Sequence, residues 1–205
     1  IVRVEGLIDL SVDDAGRPLG AAHYRDPAFD WDAFTRAVDP ATWGRRAPEG
    51  PMEAARQRSQ RAQAARVILR VPSHTTIIGV GDTARIVHGG LMLERVEQVI
   101  VRHVRFSDAF DHFPAWDPND NAGGEWNSEY DNLALRGARQ VWIDHCRFDD
   151  GDRPDAASAV RLGRLMQHHD GLLDITHQSS HVTVGWSHFD SHEKAVLVGN
   201  GDQRV

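Results

Sequence analysis

The sequence predicts an all-β fold of stacked parallel turns, a parallel β-helix. Three observations carry that reading: an ungapped internal repeat, a short apolar strand ahead of each copy, and long connections that leave the repeat at equivalent points. The copies are VIVRHVRF (Val99–Phe106), VWIDHCRF (Val141–Phe148) and VTVGWSHF (Val182–Phe189), recurring after 42 and then 41 residues. Near-constant offsets mark stacked repeat architectures. Each copy opens on alternating apolar residues (Val99/Val101, Val141/Ile143, Val182/Val184), the period of a strand with one buried face, and closes on phenylalanine.

The preceding strands are Leu91–Leu93, Leu133–Leu135 and Leu173–Ile175, so one turn holds at least two strands. Equivalent strands lie too far apart for a hairpin and no amphipathic crossover helix joins them, which favours a β-helix over a βαβ fold. A β-sandwich with accidental similarity is the competing architecture. Earlier strands are expected at Ile1–Ile8, Val67–Val71 and Thr75–Ile78. Between the first two, Pro51–Ala65 is rich in helix formers, with proline where a first turn tolerates it, and reads as a surface helix with a solvated arginine face.

Two connections, Ser107–Tyr130 and Asp149–His169, each run about twenty residues, beyond ordinary connectors. Both follow the repeat's phenylalanine, so stacking sets them on one side of the solenoid as walls of a groove. In the first, Phe110, Phe113, Trp116, Trp126 and Tyr130 suit sugar rings, but most are expected to fold the loop onto itself. In the second, Arg153, Arg161 and Arg164 are either carboxylate-binding groups or simple surface charge.

The 205 residues, 40% of them hydrophobic, suffice for one core, and a single domain over 1–205 is expected. The chain opens directly on a strand without methionine and stops where another apolar run begins, so it reads as an excerpt incomplete at both ends. A net charge of -7 argues against nucleic-acid affinity, and no apolar run approaches the roughly 20 residues of a membrane helix. Cys146 is the only cysteine, which excludes an internal disulfide and paired-thiolate metal sites. An anionic ligand would need a bound cation or local basic residues to overcome the net charge.

Repeat register makes Asp131 and Asp174 neighbours on successive turns, with Asp170 close by and Glu129 able to face the same way. Carboxylates so close raise one another's pKa unless a cation sits among them, and an all-oxygen, irregular set suits calcium. Simple turn capping is the plainer role for Asp170 and Asp174. His168, His169, His177, His181, His188 and His192 offer a rival metal site, though no zinc spacing is present, and His145 and His188 read as ladder residues hydrogen-bonded between turns.

VWIDHCRF (Val141–Phe148), DGLLDITHQSSHVTV (Asp170–Val184) and SHFDSHEKAVLVGN (Ser187–Asn200) resemble pectate lyases of polysaccharide lyase family one, secreted bacterial members above all. The likeness continues upstream through Ala41–Val67 and Phe113–Asn132. It implies a right-handed parallel β-helix and calcium-dependent β-elimination of α-1,4-polygalacturonate. It also implies an extracellular, monomeric enzyme of pectin breakdown with no nucleic-acid or membrane partner. The family's calcium acids match Asp131, Asp170 and Asp174, and Glu129 stands where some members carry a further acidic ligand. Its substrate-binding lysine matches Lys194, within Ser191-His192-Glu193-Lys194, where serine replaces the motif's first aspartate. The family's catalytic arginine sits in an R-x-P-R-like segment absent from this chain, and Arg204 is not assigned that role, so the catalytic residue is left open. A β-helix glycoside hydrolase using two carboxylates, or a non-catalytic pectate-binding fragment, are the alternatives.

Overall fold

A computed structural model describes residues 1–200, and in it each repeat is one turn of a parallel β-helix. Each turn contains three short strands. The middle turn comprises Leu133–Arg136, Arg139–Asp144 and Arg147–Asp149; below it lie Gly90–Glu94, Glu97–Arg102 and Arg105–Ser107, and above it Leu173–Thr176, Ser180–Gly185 and His188–Phe189. All these neighbours pair in parallel, with Leu91, Leu133 and Leu173 in one register row and Val99, Val141 and Val182 in another. The eight-residue repeat, read from sequence as one strand, is two. Its fifth residue (His103, His145 or Trp186) adopts a positive φ of 56°, 51° or 49°, turning a corner.

Inside the turns, side chains of equivalent residues stack. Phe106, Phe148 and Phe189 lie nearly parallel, with ring centroids 5.3 and 4.9 Å apart, and each such pair contributes about 0.5–1.5 kcal/mol beyond its burial. Leu93, Leu133, Leu135, Val99, Val101 and Ile143 complete the dry interior. Outside, His103, His145 and Trp186 also form a column, with centroids 5.0 and 6.0 Å apart. His145 therefore belongs to a ladder, but a stacked one: its Nδ1 faces Asp144 Oδ2 of its own turn at 2.9 Å. His188 lies at another register position, 3.7 Å from Asp190, and does not bridge turns.

The strand expected at Thr75–Ile78 extends over Thr76–Val87, and the two expected ahead of it form as Val2–Asp9 and Ile68–Arg70. Short helices at Ala21–Tyr24, Trp31–Ala37 and Pro40–Trp43 were not legible in the pattern. They create a second core in which Phe29 and Phe34 meet Phe113, Trp116 and Trp126. The first loop's aromatics thus fasten it to these helices, with Trp116 and Trp126 in a two-stranded antiparallel ribbon. The long helix runs Pro51–Val67, with proline in its first turn. It is no free surface helix: Arg56 is buried against Glu53 and donates to the Phe113 carbonyl at 2.6 Å, and the Tyr130 hydroxyl donates to the Gln60 carbonyl at 2.8 Å. The helix therefore braces the first loop, which sets the position of the residues immediately after it.

Candidate metal centre and groove

One sheet, in the order 196–198, 173–176, 133–136, 90–94 and 68–70, forms the floor of a groove. Alternation buries Leu133, Leu135 and Leu173 and leaves Ala134, Arg136 and Asp174 on the other face, where Ala134 and Asp174 stand side by side. At the floor's upstream end a cavity of about 690 Å³ opens between the long helix and the sheet, reaching Glu129 and Asp131.

The turns place the expected acids together. The Asn132 amide donates to the Gly171 carbonyl and that of Asp170 to the Tyr130 carbonyl, so Asp131 lies against the Asp170–Gly171 segment of the next turn. Asp131 is only 5% exposed, and its Oδ1 is buried without a hydrogen-bond partner. A methyl group built on Gly171 would stand 2.9 Å from both Asp131 Oδ1 and Asp174 Oδ1. Two carboxylate oxygens thus converge on a space that exists because residue 171 has no side chain. Burial, then the Asp170 and Asp174 charges, push the Asp131 carboxyl well above the carboxylate range. Burial and Asp170 push Asp174 up to about 6.

Asp170 is held differently, accepting from the Lys194 ammonium at 2.8 Å. Burial opposes the ammonium's charge, yet Asp170 outweighs it and keeps the Lys194 pKa raised. Glu129 is exposed at the cavity's rim. Among the described residues no three acidic, histidine or cysteine groups close around a single point. The donors nonetheless fit a hard cation: a buried, unpartnered carboxylate oxygen, a second carboxylate aimed at the same space, and mutual repulsion that a divalent ion would relieve.

Among the described residues the histidines form no rival centre. Burial opposes protonation of His169, but Asp108 and Asp155, each 2.9 Å away, raise it to about 9. His168 faces the Asp111 carbonyl at 2.6 Å, and burial lowers its pKa. His192 bridges Asp150 and the Asp170 carbonyl, both at 2.8 Å, and so steadies the segment carrying Asp170 and Gly171. Gly171 and Asp150 were missed from sequence because neither bears metal-ligand spacing, although Gly171 sits between two of the expected acids, and His192, expected only as part of a rival metal site, instead positions this segment. The second loop's arginines serve the protein itself: Arg153 pairs with Asp108, Arg161 with Asp32 and Arg164 with Glu125. Arg204 lies outside the described residues.

A strand-built solenoid with an acidic, lysine-flanked groove on one sheet is a parallel β-helix protein with a cleft suited to a cation. Residues 49–205 match the pectate lyase family, and the chain belongs to it. It is 43% identical over 205 residues to a pectate lyase of Bacillus subtilis (strain 168), covering 100% of this chain and 49% of that protein. It is 35% identical over 140 residues to pectate lyase E of Dickeya chrysanthemi, covering 68% of this chain and 35% of the relative. A solved pectate lyase bound to hexasaccharide superposes with a TM-score of 0.95 at 43% identity, over 100% of this chain and 51% of the other. The fold is thus the right-handed parallel β-helix expected, and the chain spans about half the length of the Bacillus relative and of the hexasaccharide-bound lyase.

Proposed function

We propose that the protein is a calcium-dependent pectate lyase that cleaves α-1,4-polygalacturonate by β-elimination, leaving 4,5-unsaturated oligogalacturonides. One observation carries the reading: Asp131 Oδ1 is buried without a partner and meets Asp174 Oδ1 across the space left by Gly171, beside Lys194 in an open groove. Asp131, Asp170 and Asp174 would hold the calcium, with Glu129 at the rim as a further acid. When bound, calcium offsets the uronate charge and makes the C5 proton more acidic.

Lys194 takes a uronate carboxylate in exchange for Asp170, which frees that acid for the ion. The floor residues and the braced first loop hold the sugar so that its C5 hydrogen has a fixed orientation. A base removes the C5 proton, the C4–C5 double bond forms, and the C4–oxygen bond breaks with the departing sugar taking the electron pair. No residue of 1–205 is assigned as that base, because the family's arginine segment is not among them. Secretion and action as a monomer accord with a polymeric plant cell-wall substrate; no described helix is long and apolar enough to cross a membrane.

The test is ultraviolet absorbance of unsaturated uronate released from polygalacturonate, with calcium and with chelator. Calcium-dependent absorbance is expected. New reducing ends without absorbance would mean hydrolysis, and binding without cleavage would mean a pectate-binding protein.

A further inference from the structure

Of the arginines on the neighbouring sheet, Arg102 pairs with Asp144, Arg105 with Asp149, Arg139 with Glu97 and Arg147 with Asp190, and the two with no acidic partner among the described residues, Arg3 and Arg85, are exposed. Arg136 is not. It ends the strand Leu133–Arg136, on the same face as Ala134, in a register row with Glu94 and Thr176. Among the described residues its guanidinium has neither an acidic partner within 4.0 Å nor a side-chain hydrogen bond. It is half-buried and lines the cavity beneath the long helix, together with Arg61, Met92 and Ala134. On the groove floor Arg70 is already neutralised by Glu94 at 2.5 Å.

A half-buried guanidinium without an anion inside the protein has its planar fork of donors available to one from outside. Taking the polygalacturonate reading as given, we propose that Arg136 binds the carboxylate of a second uronate unit and so selects for free acid over methyl ester at that position. Lys194 precedes the strand Val196–Val198, two strands along the stack from Arg136. At about 4.8 Å per strand the two cations are roughly 10 Å apart along the solenoid, too far to share one carboxylate. A polymer lying across the strands meets Lys194 at one sugar and Arg136 at another. Met92, on the strand beyond Arg136, adds an apolar surface to the same cavity. Arg136 also lowers the Asp131 and Asp174 pKa values, so its charge reaches the acidic pair without bonding to it.

The experiment compares Arg136→Gln and Arg136→Lys with the unaltered protein on polygalacturonate and on highly methyl-esterified pectin, reading KM, kcat and calcium affinity. Arg136→Gln is expected to raise KM for polygalacturonate about five- to tenfold, the loss of one charge-assisted pair, with kcat within about twofold. KM for the esterified polymer is expected to stay unchanged, and Arg136→Lys, which keeps the charge and loses the fork, to fall between. Should Arg136→Gln fail to fold, Arg136→Lys carries the same comparison. An unchanged KM for polygalacturonate, whether or not calcium binds more tightly, overturns the inference; so does an equal loss on both polymers. If the unaltered protein forms no unsaturated product, the lyase reading fails separately, and calorimetric binding of hexagalacturonate to the same variants still decides the role of Arg136.

Discussion

Replacing Asp174 by Asn removes one of two carboxylates that meet across Gly171 without changing its size, and the consequence should reverse sign with calcium. Without the ion, burial and Asp170 hold the Asp174 carboxyl up at about 6. A carboxyl raised in the folded state favours folding below its unfolded pKa, and that contribution is lost as pH rises through the folded value. Two units of such a change correspond to about 3 kcal/mol, and solvent at this half-open site reduces that to about 1–2 kcal/mol. At pH 8 with chelator, Asp174→Asn is therefore expected to be the more stable protein, by about 2–8 °C in Tm for a chain of this size. With calcium at a hundred times its Kd the unaltered protein gains about 2.7 kcal/mol, while the variant gains far less, so the order inverts. Thermal unfolding followed by circular dichroism at pH 8, in chelator and in calcium, reads both effects. A variant less stable in chelator, or calcium shifts of equal size in the two proteins, would refute the repulsion argument.

Three further outcomes are expected. Gly171→Ala puts a methyl 2.9 Å from both converging oxygens and should abolish the calcium-induced rise in Tm while lowering polymer binding, as measured by calorimetry. Lys194→Ala removes the ammonium that holds Asp170 at 2.8 Å; calcium affinity should rise while affinity for polygalacturonate falls about tenfold, and a parallel loss of both would contradict the exchange. Phe148→Ala empties the centre of the phenylalanine stack and should cost about 3–5 kcal/mol in denaturant unfolding, without changing calcium affinity in the protein that remains folded.

The solenoid was legible because its period is written in residues whose burial leaves little choice: Val99, Val141 and Val182, or Phe106, Phe148 and Phe189. The corners at His103, His145 and Trp186 were not, because a positive φ at a non-glycine residue is imposed by the stack and leaves no mark in hydrophobic pattern. The helices between residues 21 and 43 escaped notice for a related reason. They are short, and their stability comes from Phe113, Trp116 and Trp126, far away in sequence. In the site, register alone brought Asp131 and Asp174 together. Gly171 acts through the absence of a side chain, and Arg136 through the absence of a partner; neither shows in a one-dimensional reading. The loop arginines went the other way, since Arg153, Arg161 and Arg164 find carboxylates within the protein.

The central claim is that a cation held by Asp131, Asp170 and Asp174 joins the protein to its acidic polymer. Calorimetric titration of hexagalacturonate into the unaltered protein and into Asp131→Asn, each with calcium and with chelator, tests it most directly. The account predicts binding to the unaltered protein with calcium, and its loss on chelation or on the Asp131 change. Equal binding in chelator, or undiminished calcium-dependent binding by Asp131→Asn, would contradict it.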